Sequence, residues 1–87
     1  MTPRVPAMDE LMLRETVRQR LRTGGLPAAA SARTWSRAGN GSPCALCTRS
    51  ITSDETEFEL EFDGPKRPFV TFYHLHPRCY AAWELER

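Results

Sequence analysis

Long apolar runs are absent from this chain of 87 residues. No stretch approaches the roughly 18 to 20 consecutive apolar residues that a membrane-spanning helix requires. The opening segment, residues 1–15, also lacks the uninterrupted apolar stretch of a secretory signal. We therefore expect a cytoplasmic protein that does not span a membrane.

Cysteine and histidine are scarce, with three and two residues respectively. An odd number of cysteines argues against a framework of disulfides. A chain of this length also buries too little surface for a strongly stable apolar core, and many small domains compensate with a bound metal. The few cysteines therefore predict a metal site if their spacing suits one.

Charge is nearly balanced over the whole chain, at +1, but it is unevenly distributed. Residues 1–43 carry seven arginines against three acidic residues, a net charge of +4. Residues 44–87 carry five basic against eight acidic residues, a net charge of −3. The asymmetry indicates either a basic arm for an anionic partner or two halves that attract each other.

The first predicted element is an amphipathic helix over residues 9–22. Asp9 is a suitable N-cap, apolar residues recur every fourth position from Leu13 to Leu21, and Gly24 can end the helix. The helix also carries a basic face that could contact phosphates, although a solvated face is the simpler interpretation. That face consists of Arg14, Arg18, Arg20 and Arg22.

The segments on either side of this helix have little regular pattern. We expect residues 1–7 to be disordered, because Pro3 and Pro6 interrupt regular structure. Residues 23–43 are rich in Gly, Pro, Ala and Ser, which predicts a loop or linker. Trp35 is the exception within it, and a tryptophan in such a segment usually packs onto a neighbouring domain.

A β-hairpin is predicted in the second half of the chain. From residue 56 apolar residues alternate with acidic ones, which indicates a strand with one buried face. A turn over residues 64–68 and a second strand over residues 69–75 follow, and Pro77 suits the first turn of a helix. We expect the acidic side chains to form a solvent-exposed row, with docking of a basic partner or of the N-terminal helix as the alternatives. The row consists of Glu57, Glu59, Glu61 and Asp63.

Two pairs of metal-binding residues frame this hairpin. Cys44 and Cys47 are separated by two residues, and so are His76 and Cys79. Thiolate and imidazole are the usual ligands of tetrahedral Zn²⁺, and four such ligands leave no open position, so we predict one structural zinc ion. Buried free thiols and a redox Cys-x2-Cys site are the alternatives. His74 is a competitor of His76, but we interpret it as a half-exposed strand histidine.

The two pairs, with Pro43 before the first and Tyr80 after the second, resemble the first zinc module of a LIM domain with a longer insert. They are also similar to small bacterial proteins with a GxPCxxC…HxxCYxxW signature. The resemblance covers roughly residues 39–87. It implies a treble-clef zinc finger, in which a zinc knuckle, a β-hairpin and a helix follow one another. No cysteine remains for the second zinc module of a LIM domain.

We expect an α+β protein in two parts, a basic helix and linker over residues 1–38 and a single-zinc domain over residues 39–87. We find no Ser/His/Asp set, phosphate-cradling glycine loop or convincing carboxylate pair, so we do not expect an enzyme. The predicted function is that of an adaptor or regulator that binds another protein. The alternatives are a nucleic-acid binder that uses the Arg-rich helix and a redox- or metal-responsive switch.

Overall fold

A computed structural model describes residues 9–64 and 70–87 of the chain. It contains two helices and a three-stranded antiparallel sheet, which confirms the α+β class. No helix within these two ranges has the length and apolarity needed to cross a bilayer. The predicted disorder of residues 1–7 and most of the predicted turn over residues 64–68 lie outside the described residues. The elements are α1 (Glu10–Thr23), β1 (Arg33–Ala38), β2 (Thr56–Asp63), β3 (Val70–Leu75) and α2 (Pro77–Glu86).

Helix α1 begins and ends close to the predicted positions. The Asp9 carboxylate accepts a hydrogen bond from the backbone N–H of Met12 at 2.9 Å, which is an N-cap interaction. Gly24 ends the helix in the left-handed region, at φ 80°, a conformation that glycine adopts without steric cost. Leu13 and Val17 are buried, so the apolar stripe of the helix packs into the core.

The hairpin and the second helix enclose the core. Strands β2 and β3 pair in antiparallel register as predicted, and their inner-face residues Leu60 and Leu75 are fully buried. Trp83 of α2 is also fully buried, and its indole N–H donates to the Pro27 carbonyl at 2.8 Å. The core therefore lies between α2 and the inner face of the sheet, with α1 packed against α2.

Strand β1 corrects the prediction that residues 23–43 form a loop or linker. It pairs antiparallel with β2, with Arg37 opposite Glu57 in the register. All six of its residues are exposed, so the strand lacks the alternation of buried and exposed residues from which it could be predicted. Trp35 lies within it and is 51% exposed, which corrects the expectation that this side chain packs onto the zinc domain.

The acidic row of β2 is not a solvent-exposed face, which corrects a further prediction. The Glu57 side chain is fully buried, and those of Glu59 and Glu61 are only 12% and 14% exposed. Arg37 forms ion pairs with Glu57 and Glu59, and Arg33 does so with Glu61. Two arginines of β1 therefore cover the three glutamates of the row, whereas Asp63 at the end of β2 is 60% exposed, as predicted.

Gly39 determines how the chain passes from β1 to the first ligand pair. A Cβ atom at this position would overlap the backbone carbonyl groups of Ile51 and Thr52. Only glycine permits such a close approach of two backbone segments. The Gly39 N–H donates to the Glu55 carbonyl at 2.9 Å, which holds the end of β1 beside the turn that precedes β2.

Candidate metal centre

The first ligand pair lies in a tight turn between β1 and β2. The Thr48 N–H donates to the Cys44 carbonyl at 3.0 Å. Thr48 has a positive φ of 67°, which turns the chain back directly after Cys47. The turn is joined to β3, because the Ala45 N–H donates to the His74 carbonyl at 2.8 Å. We call this segment, residues 44–48, the knuckle, and its hydrogen bonds hold both cysteines at the end of the hairpin.

The second ligand pair lies where β3 leads into α2. His76 is the N-cap residue, with an extended backbone at φ −64° and ψ 153°, and Cys79 lies in the first turn of the helix. The Tyr80 N–H donates to the His76 carbonyl at 2.8 Å, which closes that turn. Pro77 suits the first helical position, because its missing N–H would have no partner there. Residues three apart share a helix face, so the two ligands lie on the same side.

The structure brings all four predicted ligands together. Their three sulfur atoms and one imidazole nitrogen all lie within 4.8 Å of one another. Cys47 Sγ lies 3.4 Å from His76 Nδ1. With zinc bonds of about 2.3 Å to sulfur and about 2.0 Å to nitrogen, a tetrahedral angle separates such a pair by roughly 3.5 Å. The four side chains lie close enough to hold one metal ion, and their spacing is compatible with zinc.

The three thiols differ in burial and in acidity. Cys44 and Cys79 are 2% and 3% exposed, whereas Cys47 is half-buried. A hydrogen bond from the Cys79 thiol lowers the pKa of Cys44 to about 4. The same bond, together with burial, raises the pKa of Cys79, and burial raises the pKa of Cys47. A metal that binds here must displace protons from thiols, and the raised pKa values of Cys47 and Cys79 oppose that step.

Glu55 belongs to the site but was not predicted from the sequence. Its Oε1 lies 3.4 Å from His76 Nε2, while the other ring nitrogen faces Cys47. Hydrogen bonds from the backbone N–H and the hydroxyl of Thr52, both at 3.0 Å, hold the pKa of Glu55 below its usual range. A carboxylate in this position fixes the tautomer and the orientation of a metal-binding histidine. The sequence signal is Thr52-x2-Glu55, a pattern in which the two residues cap each other.

A cavity of about 290 Å³ opens beside the ligands. Three of the four candidate ligands, Cys47, His76 and Cys79, line this cavity, and the buried Cys44 does not. The cavity gives a metal ion a route to the half-buried side of the site. Its lining residues are Leu13, Cys47, Arg49, Glu55, His76, Pro77, Arg78 and Cys79.

The arginines predicted to form a basic face on α1 are used largely within the chain. Arg14 Nε and Arg18 Nε lie 2.7 Å and 2.9 Å from the two carboxylate oxygens of Glu86. The hydrogen bond from Arg18, followed by that from Arg14, holds the pKa of Glu86 below its usual range. Arg20 Nη1 lies 3.4 Å from a backbone carbonyl of the knuckle, and Arg22 is exposed in the last helical turn. The arginines thus attach α1 to α2 and to the knuckle.

His74 does not join the sulfur atoms. Its side chain is 28% exposed, and its Nδ1 lies 3.1 Å from Glu57 Oε1 on the outer face of the sheet. His74 is therefore a partly exposed strand histidine, as predicted, and His76 is the histidine that lies together with the three sulfur atoms.

Comparison with known protein families, curated proteins and solved structures finds no match to this chain. The resemblance to a LIM module therefore rests on the motif residues alone.

Proposed function

We propose that this chain is a treble-clef-like adaptor that holds one structural zinc ion and whose sheet binds another protein. The convergence of three thiols and one imidazole is the observation that carries the proposal. The knuckle, the hairpin of β2 and β3, and α2 follow one another in the order of a treble clef. Four such ligands complete a tetrahedron and leave no position for a reacting water, which favours a structural role over an enzymatic one.

A structural metal suits the way in which this small core is assembled. The knuckle and α2 are distant in sequence, and one ion bound by Cys44, Cys47, His76 and Cys79 would join them. Binding of a structural zinc supplies on the order of 10 kcal/mol to the folding of an isolated finger. Zinc is the metal that a tetrahedral set of thiolate and imidazole ligands favours.

The outer face of the sheet is the proposed protein-binding surface. The register places Trp35, Val70 and Phe72 on this face, where they are 51%, 40% and 48% exposed. Arg33 and Arg37 lie beside Trp35 on β1 and are about half exposed. Tryptophan, phenylalanine and arginine are enriched where protein interfaces are most tightly packed. A cluster of large exposed apolar side chains on so small a domain favours a protein partner.

Charge favours a protein partner over a nucleic acid. The outer face carries two arginines against the four carboxylates of the acidic row, a net charge of −2 that would repel phosphates. The Arg-rich helix α1 is also a poor candidate for binding phosphates, because its Arg14 and Arg18 already form ion pairs with Glu86. Arg20 and Arg22 alone would make a short phosphate-binding stripe.

Native mass spectrometry of protein purified without a tag tests the metal half of the proposal. We expect every folded chain to carry at least one zinc ion, and acidification to release it, because protonation of the thiolates competes with the metal. Folded protein without any bound metal would contradict the proposal.

A capture experiment with matched variants tests the adaptor half. Trp35→Ala and Phe72→Ala should lose any partner that the wild-type chain retains, whereas Leu85→Ala should keep it. Leu85 is a suitable control, because it is 68% exposed but lies on α2, which does not belong to the outer face of the sheet. In parallel, a short DNA or RNA duplex should fail to bind at low salt. Duplex binding that weakens as salt rises would favour the nucleic-acid alternative.

A further inference from the structure

A second group of metal-binding side chains lies on the outer face of the sheet. Glu57 and Glu59 are alternate residues of β2, and His74 lies opposite Glu59 on β3. His74 Nδ1 is 3.1 Å from Glu57 Oε1 and 3.7 Å from Glu59 Oε2. One imidazole nitrogen and two carboxylate oxygens therefore lie within 4.8 Å of one another.

Two buried atoms of this group lack hydrogen bonds. Glu57 has a fully buried side chain, and Arg37 Nε binds its Oε2 at 2.9 Å. Glu57 Oε1 and His74 Nδ1 lie 3.1 Å apart as an ion pair, and neither makes a hydrogen bond of regular geometry with the described residues. A buried polar atom without a partner is costly, and such atoms are rare in folded proteins. One cation bound between them would satisfy both.

We propose that Glu57, Glu59 and His74 form a second binding site for a divalent cation of the zinc type. A metal bonded at about 2.0 to 2.2 Å to nitrogen and oxygen ligands separates them by roughly 3.4 Å in a tetrahedron. The observed separations of 3.1 Å and 3.7 Å lie on either side of that value. Imidazole with carboxylate suits zinc and similar ions, and three protein ligands leave one position for water.

The neighbouring charge makes this site weaker than the thiolate centre. Arg37 lies against Glu57 and Glu59, and its positive charge opposes a cation bound to the same carboxylates. Thiolates also bind zinc more tightly than carboxylates do, so the first equivalent of metal fills the Cys44, Cys47, His76 and Cys79 site. His74 is 28% exposed, which leaves the second site open to exchange with solvent.

Titration of the metal-free full chain with Co²⁺ distinguishes the two sites. Cobalt bound to thiolates gives a sulfur-to-metal charge-transfer band, and cobalt bound only to imidazole and carboxylates does not. We expect the first equivalent to produce the band and a second equivalent to bind without increasing it. Calorimetry with Zn²⁺ should likewise show two equivalents with different affinities.

Variants on the outer face connect the second equivalent to these residues. His74→Gln and Glu57→Gln should weaken the second equivalent by at least about tenfold, the smaller of the effects seen when a metal site loses an outer partner. Glu61→Gln is the matched control, because Glu61 lies on the same face of β2 but is paired with Arg33. An unchanged charge-transfer band in each variant shows that it still folds around the first metal.

Two results would overturn the second cation site. A wild-type chain that binds only one equivalent of Co²⁺ and of Zn²⁺ would overturn the second site. A second equivalent that binds His74→Gln as tightly as wild type would do the same. Failure of the charge-transfer band would instead contradict the thiolate centre, so the two proposals fail separately.

Discussion

The metal centre and the outer face of the sheet stabilise their ionisable groups in different ways. At the metal centre three thiols and an imidazole converge, and a bound cation would stabilise the thiolates that it holds. On the sheet the chain supplies its own cations, because Arg33 and Arg37 of β1 lie against the carboxylates of β2. If the proposed zinc ion is bound, the first region depends on a ligand for its stability, whereas the second depends mainly on the pairing of two strands.

Of the substitutions considered, loss of a metal ligand should destabilise the protein most. Cys79→Ser leaves three ligands and a buried hydroxyl, so tight zinc binding and the ordered structure of residues 44–87 should both be lost. The effect on folding should be on the order of 10 kcal/mol, the contribution of a structural zinc. Amide NMR spectra and competition with a chelator measure the two losses.

Arg78→Ala is the control for this variant, since Arg78 is the exposed neighbour of Cys79 and supplies no ligand in the proposed site. Its spectrum should match that of the wild type. A well-dispersed spectrum of Cys79→Ser protein in the presence of chelator would show that the fold does not need the metal.

Loss of one arginine of β1 should have the next largest effect. Arg37→Ala leaves the fully buried carboxylate of Glu57 without its cation, whereas Arg33→Ala affects Glu61, which is 14% exposed and can contact water. A buried charge that loses its partner is destabilising. We therefore expect Arg37→Ala to lower the urea midpoint of zinc-loaded protein further than Arg33→Ala does. Equal midpoints for the two variants would mean that the burial of Glu57 does not determine how much stability is lost with the arginine.

Loss of the ion pairs between α1 and α2 should have the smallest effect, because pairs that involve exposed arginines contribute little. Glu86 has a pKa below its usual range in the folded chain, so its contribution is present above the unfolded value of about 4.3. That contribution is lost as pH falls through the lower, folded pKa.

The difference in stability between wild type and Glu86→Gln should accordingly shrink as pH falls below about 4, and at high salt. Paired urea titrations of zinc-loaded protein measure it, in low and high salt and at each pH at which both proteins still hold zinc. Glu84→Gln, on the same helix but paired with Arg87, is the control. A difference that persists at low pH would mean that the carboxylate charge is not its source.

The convergence of Cys44, Cys47, His76 and Cys79 and the hairpin could be predicted because both arise from local patterns. The spacing of each ligand pair indicates which side chains can reach a common point, and it favours His76 over His74 as the partner of Cys79. The alternation around Leu60 and the position of Pro77 likewise indicate a strand and a helix without knowledge of the rest of the chain.

Strand β1 and the burial of the acidic row could not be predicted, because both depend on pairing between distant segments. The six residues of β1 are all exposed, so neither hydrophobic periodicity nor burial distinguishes them from a linker. Glu57 is buried only because Arg37 and β1 lie over it. Charge asymmetry indicates that the two halves attract each other, but it does not identify which arginines take part.

X-ray absorption at the zinc edge tests the metal centre most directly, on wild-type protein that holds one equivalent of zinc. We expect a first coordination shell of three sulfur atoms at about 2.3 Å and one nitrogen at about 2.0 Å. A shell made only of nitrogen and oxygen atoms would place the ion elsewhere and contradict a site formed by Cys44, Cys47, His76 and Cys79.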